Sequence, residues 1–169
     1  AEFGVNASAS GNQYEPDVAA TADGRFVIVW RSDGQDGSSA GVYAQRFNAD
    51  GTTAGTEFRV NTHTANGQYE AQVVALAGGG FVVVWPSDAN DGSGWAVMGQ
   101  RFDAAGSKLG GEFQVNETTA GSQYMSDVFQ SELTFLGIES SPAFVRAPEG
   151  NGCAERFIRT LKENLLWVT

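Results

Sequence analysis

The sequence of 169 residues has one cysteine, four prolines and few charged residues, which make up 18% of the chain. A single cysteine excludes an intrachain disulfide, although a chain of this length can bury a hydrophobic core. The longest apolar runs, such as residues 81–85, are too short to span a membrane as a helix. The first residues lack the charged start and apolar stretch of a signal peptide, so we expect any export signal to lie elsewhere or to be missing.

Basic residues are also scarce, because ten of them stand against twenty acidic residues and leave a net charge of −10. This charge repels the phosphates of nucleic acids and anionic lipids and favours cations. We therefore expect neither a nucleic acid nor a membrane as partner. Glycine, in contrast, occupies 22 positions. A chain rich in glycine and poor in charge is typical of turn-rich β structure and not of a coiled coil or a disordered segment.

The pattern Glu-Phe-x-Val-Asn occurs three times, at residues 2–6, 57–61 and 112–116, each copy 55 residues after the last. A Gln-Tyr pair follows at the same spacing, ending at Tyr14, Tyr69 and Tyr124. Such a fixed interval indicates repeated structural units. Two full repeats and the start of a third are present, and a different module begins near residues 121–125.

Each repeat contains four apolar segments of graded character, which in the first repeat are residues 17–21, 26–30, 42–47 and 57–61. The first is small, the second is apolar on both faces, and the last alternates strictly, as a half-solvated outer strand does. A four-stranded antiparallel sheet with this gradient is typical of a propeller blade. We predict a mainly β fold with two propeller-like blades and a spare outer strand at residues 2–6. The alternative is a β-sandwich of the two repeats.

Residues 1–121 resemble the repeats of very large secreted bacterial proteins of the calcium-binding, haemolysin and adhesin-like types. Those repeats carry Gly-Glu-Phe-x-Val-Asn and Val-Tyr-Ala-Gln-Arg-Phe-Asp, and the second pattern matches residues 42–47 here. The resemblance implies an extracellular, calcium-rich segment with a structural or adhesive role.

From residue 121 onward the chain resembles the C-terminal end of an insertion-sequence transposase, which has an integrase-like catalytic core. The apolar spacing there predicts a helix over residues 126–136, a strand over 140–145 and a helix over 152–167, an α-β-α end piece. We therefore divide the chain into a two-repeat β module at residues 1–120 and a truncated transposase-like tail at residues 121–169, joined as a chimera.

Transposases of this kind hold two metal ions with three carboxylates. The resemblance places Glu155 at the position of the catalytic glutamate, but Thr119 stands where the family has an aspartate, and the first aspartate has no counterpart. One carboxylate cannot position two metals, so we predict that transposition activity is absent. Glu155 is then expected to pair with Arg159 along the last helix.

Oxygen-bearing side chains recur in the loop after the second apolar strand of each repeat. They are Asp33, Gln35 and Asp36 in the first repeat and Asp88, Asn90 and Asp91 in the second. Ca²⁺ takes six to eight oxygen ligands from such tight, glycine-containing loops. We predict a calcium site at these loops, and the alternative is an acidic hairpin turn in which Asp and Gly serve the geometry alone.

The predicted function is a non-catalytic, calcium-binding structural or adhesive module that forms a homo-oligomer, because two blades cannot close a ring of four to eight. A second hypothesis is a carbohydrate-binding module, whose surface would use the repeated aromatic residues Trp30, Trp85, Tyr14, Tyr69 and Tyr124. The alternative for the two tryptophans is the core of a blade, where a repeated Trp at the end of a central strand more often lies. A third is a metal-dependent hydrolase of esters or phosphoesters that uses Asp33, Asp36, Asp88 and Asp91.

Overall fold

The computed structural model describes residues 2–88 and 94–115, which form two four-stranded antiparallel sheets. The first sheet contains β1 (Gln13–Ala20), β2 (Phe26–Asp33), β3 (Ala40–Phe47) and β4 (Phe58–Arg59), and the second contains β5 (Gln72–Ala75), β6 (Phe81–Asp88), β7 (Trp95–Phe102) and β8 (Lys108–Gln114). In each sheet the strands lie in chain order. The prediction of a mainly β fold is confirmed, and the described residues contain no helix.

The two sheets have the same register at an offset of 55 residues. Phe26 pairs with Phe47 in the first sheet, and Phe81 pairs with Phe102 in the second. The rings of each pair are stacked, with centroids 5.0 Å and 4.8 Å apart. The first hairpin of each sheet also turns through a glycine with φ above +80°, Gly24 or Gly79, a conformation that favours residues without a Cβ.

One hydrophobic core joins the two sheets. It contains Ala19, Val27, Val29, Val42, Ala44 and Val60 from the first sheet and its connections, and Ala71, Val73, Phe81, Val83, Trp85, Ala96, Met98 and Phe102 from the second. Because side chains alternate along a strand, Val27 and Val29 lie on one face of β2. Phe81 and Val83 lie on the face of β6 that corresponds to Phe26 and Ile28 in the first sheet. The face of the first sheet that carries Val27 and Val29 therefore packs against the non-equivalent face of the second sheet, and the two repeats are arranged head to tail.

Several predicted features differ from the structure or lie outside it. The spare strand predicted at residues 2–6 is wrong, because this segment is not a strand, and the outer strand β4 is only two residues long. Ring closure of propeller blades stays a prediction. The α-β-α piece at residues 126–167, the tail from 121 and Glu155 lie outside the described residues. Within the described ranges, no helix is long and apolar enough to cross a membrane.

Candidate functional site

The predicted calcium ligands of the first repeat lie where β2 ends and β3 begins. Asp33 is the last residue of β2, and its Oδ1 accepts a hydrogen bond of 2.9 Å from Nε of Arg31. Gln35 accepts a hydrogen bond from the hydroxyl of Ser32 and donates one to the carboxylate of Glu57. Both side chains therefore already have protein partners that hold the loop against the first sheet.

Asp36 differs from its neighbours, because one of its oxygens has no partner. Oδ1 accepts a hydrogen bond of 3.0 Å from the backbone N–H of Ser38, whereas Oδ2 is buried and has no hydrogen-bond partner among the described residues. This oxygen lies beside Gly41, where an added Cβ would be 2.9 Å from it. Burial and the nearby charge of Asp36 raise the pKa of the Tyr43 hydroxyl. A buried, unpaired carboxylate oxygen is costly unless something supplies a positive charge.

The loop of the second repeat is only partly described. The backbone N–H of Asp88 donates a hydrogen bond of 2.9 Å to the carbonyl of Gly67, while Asn90 and Asp91 lie outside the described residues. In the described part of the chain, no three side chains of the His, Cys, Asp and Glu types are grouped so that they could hold a metal. The calcium site stays a prediction, and Asp36 is the described residue that best suits it.

A row of stacked aromatic and cationic side chains extends from β1 in the first sheet to β7 in the second. The guanidinium of Arg31 lies between the rings of Tyr14 and Tyr69, 5.4 Å and 4.6 Å from their centroids. The ring of Tyr69 then contacts that of Trp95, with centroids 5.5 Å apart. Tyr14 is 44% exposed and Trp95 is 57% exposed, so both ends of the ladder face solvent. We call these four residues the aromatic ladder.

The sequence identified half of this ladder. Tyr14 and Tyr69 are two of the recurring aromatic residues that could form a carbohydrate-binding surface. Trp30 and Trp85 are buried, as is usual for a repeated Trp at the end of a central strand. Tyr124 lies outside the described residues. Trp95 has no aromatic counterpart one repeat earlier, where Ala40 stands, so the search for repeated residues missed it.

The backbone is strained at the two tyrosines of the ladder. Glu15 and Glu70, which follow Tyr14 and Tyr69 directly, have φ values of 53° and 43°. Residues other than glycine rarely adopt this left-handed backbone conformation. The carboxylate of Glu15 also accepts a hydrogen bond of 2.9 Å from the backbone N–H of Glu70 and thereby joins the two strained positions.

A second distinctive surface is the face of the first sheet that points away from the second. Val18, Ala20, Phe26 and Ile28 lie on this face by the register of β1 and β2, and Phe3 packs on it, 5.3 Å from the ring of Phe47. We call these residues the outer face of the first sheet. Val18 is 55% exposed, whereas its counterpart in the second sheet, Val73, is fully buried.

Comparisons with known proteins add no relative. No protein family, no curated protein and no solved structure matches this chain. The resemblances drawn from the sequence therefore remain expectations, and the function has to be inferred from the surfaces described above.

Proposed function

We propose that this chain is a non-catalytic, calcium-binding β module with a structural or adhesive role, which associates with a second copy of itself. The observation that carries the proposal is the outer face of the first sheet. An exposed group of apolar side chains on a sheet is normally covered by a partner. Its counterparts in the second sheet, among them Val73, Phe81 and Val83, are covered by a sheet of the same chain.

The burial of the other sheet faces narrows the choice of partner surface. Val27 and Val29, on the opposite face of the first sheet, lie in the core between the sheets. Val82 and Val84, on the corresponding face of the second sheet, are fully buried as well. Among the sheet faces that the structure describes, the apolar face that a second copy offers is therefore the same outer face of its first sheet. Two such faces form a self-complementary, two-fold contact.

Substitution at an exposed position tests the contact without disturbing the core. Val18→Glu places a charge on the outer face, and Leu109→Glu is a matched control because Leu109 is also an exposed apolar residue but lies on β8. We expect light scattering to show a dimer for the wild type and the control and a monomer for Val18→Glu. Dimers that persist in Val18→Glu would place the contact elsewhere.

The calcium part of the proposal rests on Asp36. Its buried, unpartnered Oδ2 is the kind of oxygen that a calcium ion binds, while backbone carbonyls and water can supply most of the other ligands. A calcium ion bound here would have a structural role, because the ion would neutralise the carboxylate of Asp36 and fix the loop between β2 and β3.

Thermal unfolding with and without chelator tests this site. At a free calcium concentration a hundred times the Kd, binding stabilises the folded state by about 2.7 kcal/mol, which raises Tm by roughly 5–10 °C. We expect the combined Asp36→Asn and Asp91→Asn substitutions to abolish the rise. Asp50→Asn is the control, because Asp50 also accepts a hydrogen bond from a loop backbone N–H, that of Thr52, in a different turn. Identical melting curves in chelator and in millimolar calcium would refute the calcium site.

A further inference from the structure

We infer that the aromatic ladder binds a neutral polysaccharide. The inference does not depend on self-association, because none of the four residues belongs to the outer face of the first sheet. It requires no bound calcium ion, although the predicted calcium ligand Asp33 contacts Arg31 of the ladder. It rests on three observations: two exposed rings at the ends of the ladder, polar groups beside them, and strained backbone at both tyrosines.

The exposed rings are the first observation. Large aromatic side chains are usually buried, so an exposed Trp and an exposed Tyr at the ends of one ordered stack require an explanation. The contact between Arg31 and Tyr69 already holds the inner part of the ladder. The solvent-facing surfaces of Tyr14 and Trp95 add little to that contact. They remain free to stack on the apolar face of a sugar ring.

The charged groups around the rings indicate which ligand charge the site favours. The carboxylates of Glu15 and Asp33 lie beside Arg31, at 3.9 Å and 2.9 Å from its guanidinium nitrogens. These carboxylates and the net charge of −10 disfavour an anionic ligand. A cationic ligand would meet Arg31, which already occupies the space between the two tyrosine rings. Sugar hydroxyls, in contrast, can donate to the carboxylates and accept from the guanidinium.

The strained backbone is the third observation. Left-handed conformations of non-glycine residues are energetically unfavourable and are concentrated at ligand-binding sites, where the surrounding structure holds them. Glu15 and Glu70 are both strained, and the hydrogen bond between them fixes the spacing of Tyr14 and Tyr69. The rings of the ladder are therefore held in place before a ligand arrives, which reduces the entropy lost on binding.

The test uses the whole chain on an array of neutral, anionic and cationic polysaccharides, followed by titration of the neutral ones with tryptophan fluorescence as the signal. We expect binding to at least one neutral polysaccharide, with a change in emission that comes from Trp95. Trp95→Ala and Tyr14→Ala should each weaken binding about tenfold. Trp95→Phe should retain most of the affinity and lose the fluorescence change.

Two controls keep the result interpretable. Leu109→Ala removes an exposed apolar side chain outside the ladder and should leave the affinity unchanged. Because Trp95 is mainly exposed, Trp95→Ala should melt within a few degrees of the wild type, and a folded variant that no longer binds supports the site. The inference would be overturned by the absence of binding to every neutral polysaccharide, by unchanged affinity in both alanine variants, or by binding to cationic polysaccharides alone.

Discussion

Two asparagines 55 residues apart donate equivalent hydrogen bonds, but one is buried and the other is exposed. Comparing them tests how much burial increases the contribution of these hydrogen bonds to the free energy of unfolding. Nδ2 of Asn61 donates to the carbonyl of His63 at 2.8 Å and to Oε1 of Gln68 at 3.0 Å. Nδ2 of Asn6 donates to the corresponding groups of Ser8 and Gln13. Asn61 is fully buried, whereas Asn6 is exposed.

Replacing each asparagine by alanine should therefore have different effects. Asn61→Ala leaves the N–H of Val42 and Oε1 of Gln68 without their partner in a buried site, because Oδ1 of Asn61 also accepts from Val42 at 2.9 Å. Each unsatisfied buried group costs about 1–3 kcal/mol, so we expect a loss of about 3 kcal/mol in the free energy of unfolding. Around Asn6, water replaces the lost bonds, and the loss should stay below about 1 kcal/mol.

Urea unfolding followed by tryptophan fluorescence measures both variants, since the buried Trp30 and Trp85 become exposed on unfolding. A similar slope of free energy against urea in the wild type and the variants allows their midpoints to be compared directly. Equal losses for Asn61→Ala and Asn6→Ala would refute the assigned difference in burial. A loss below 1 kcal/mol for Asn61→Ala would refute the hydrogen-bond assignment as well.

Two further predictions concern the inter-sheet core and the buried tyrosine. Phe58→Ala removes a ring 5.5 Å from Phe102 in the core and should cost about 2–3 kcal/mol, while Leu109→Ala, at an exposed position of β8, should cost about 1 kcal/mol or less by the same urea assay. Because the pKa of Tyr43 is raised in the folded state, the folded chain holds this proton more tightly than the unfolded chain, so stability should fall as pH rises above about 10. Tyr43→Phe should show a smaller fall over the same range, and parallel curves for the two proteins would contradict the assignment.

Much of the fold was predictable, because strands carry their burial pattern in the sequence. Residues 81–85 are apolar at every position, and β6 is buried on both faces there. The inner strand β1 begins earlier than the predicted residues 17–21, because its first residues are polar and do not show the apolar pattern of a strand. β1 begins at Gln13, where Tyr14 pairs with Arg31 before the pairing shifts at the following residues. The outer strand is shorter than the predicted residues 57–61, since only Phe58 and Arg59 form β4, although the backbone N–H of Val60 also donates to the carbonyl of Val42 on β3.

The candidate sites were less predictable, because they depend on contacts between distant segments. Asp33 looks like a metal ligand in the sequence, but β2 places it beside Arg31, and an ion pair within one strand competes with metal binding. Tyr14 and Trp95 are 81 positions apart in the sequence, and only the packing of the two sheets brings them into one ladder. Repetition indicated Tyr14 and Tyr69 but could not indicate Trp95, which occurs in one repeat alone.

Self-association through the outer face of the first sheet is the central claim, and the mass of the wild-type chain in solution tests it most directly. Sedimentation equilibrium over a range of micromolar concentrations should give twice the mass of one chain, because the outer face, the one exposed apolar sheet face among the described residues, pairs with its own copy. A mass of three or four chains would show a ring of blades and contradict the two-fold contact. A folded monomer across the whole range would contradict self-association itself.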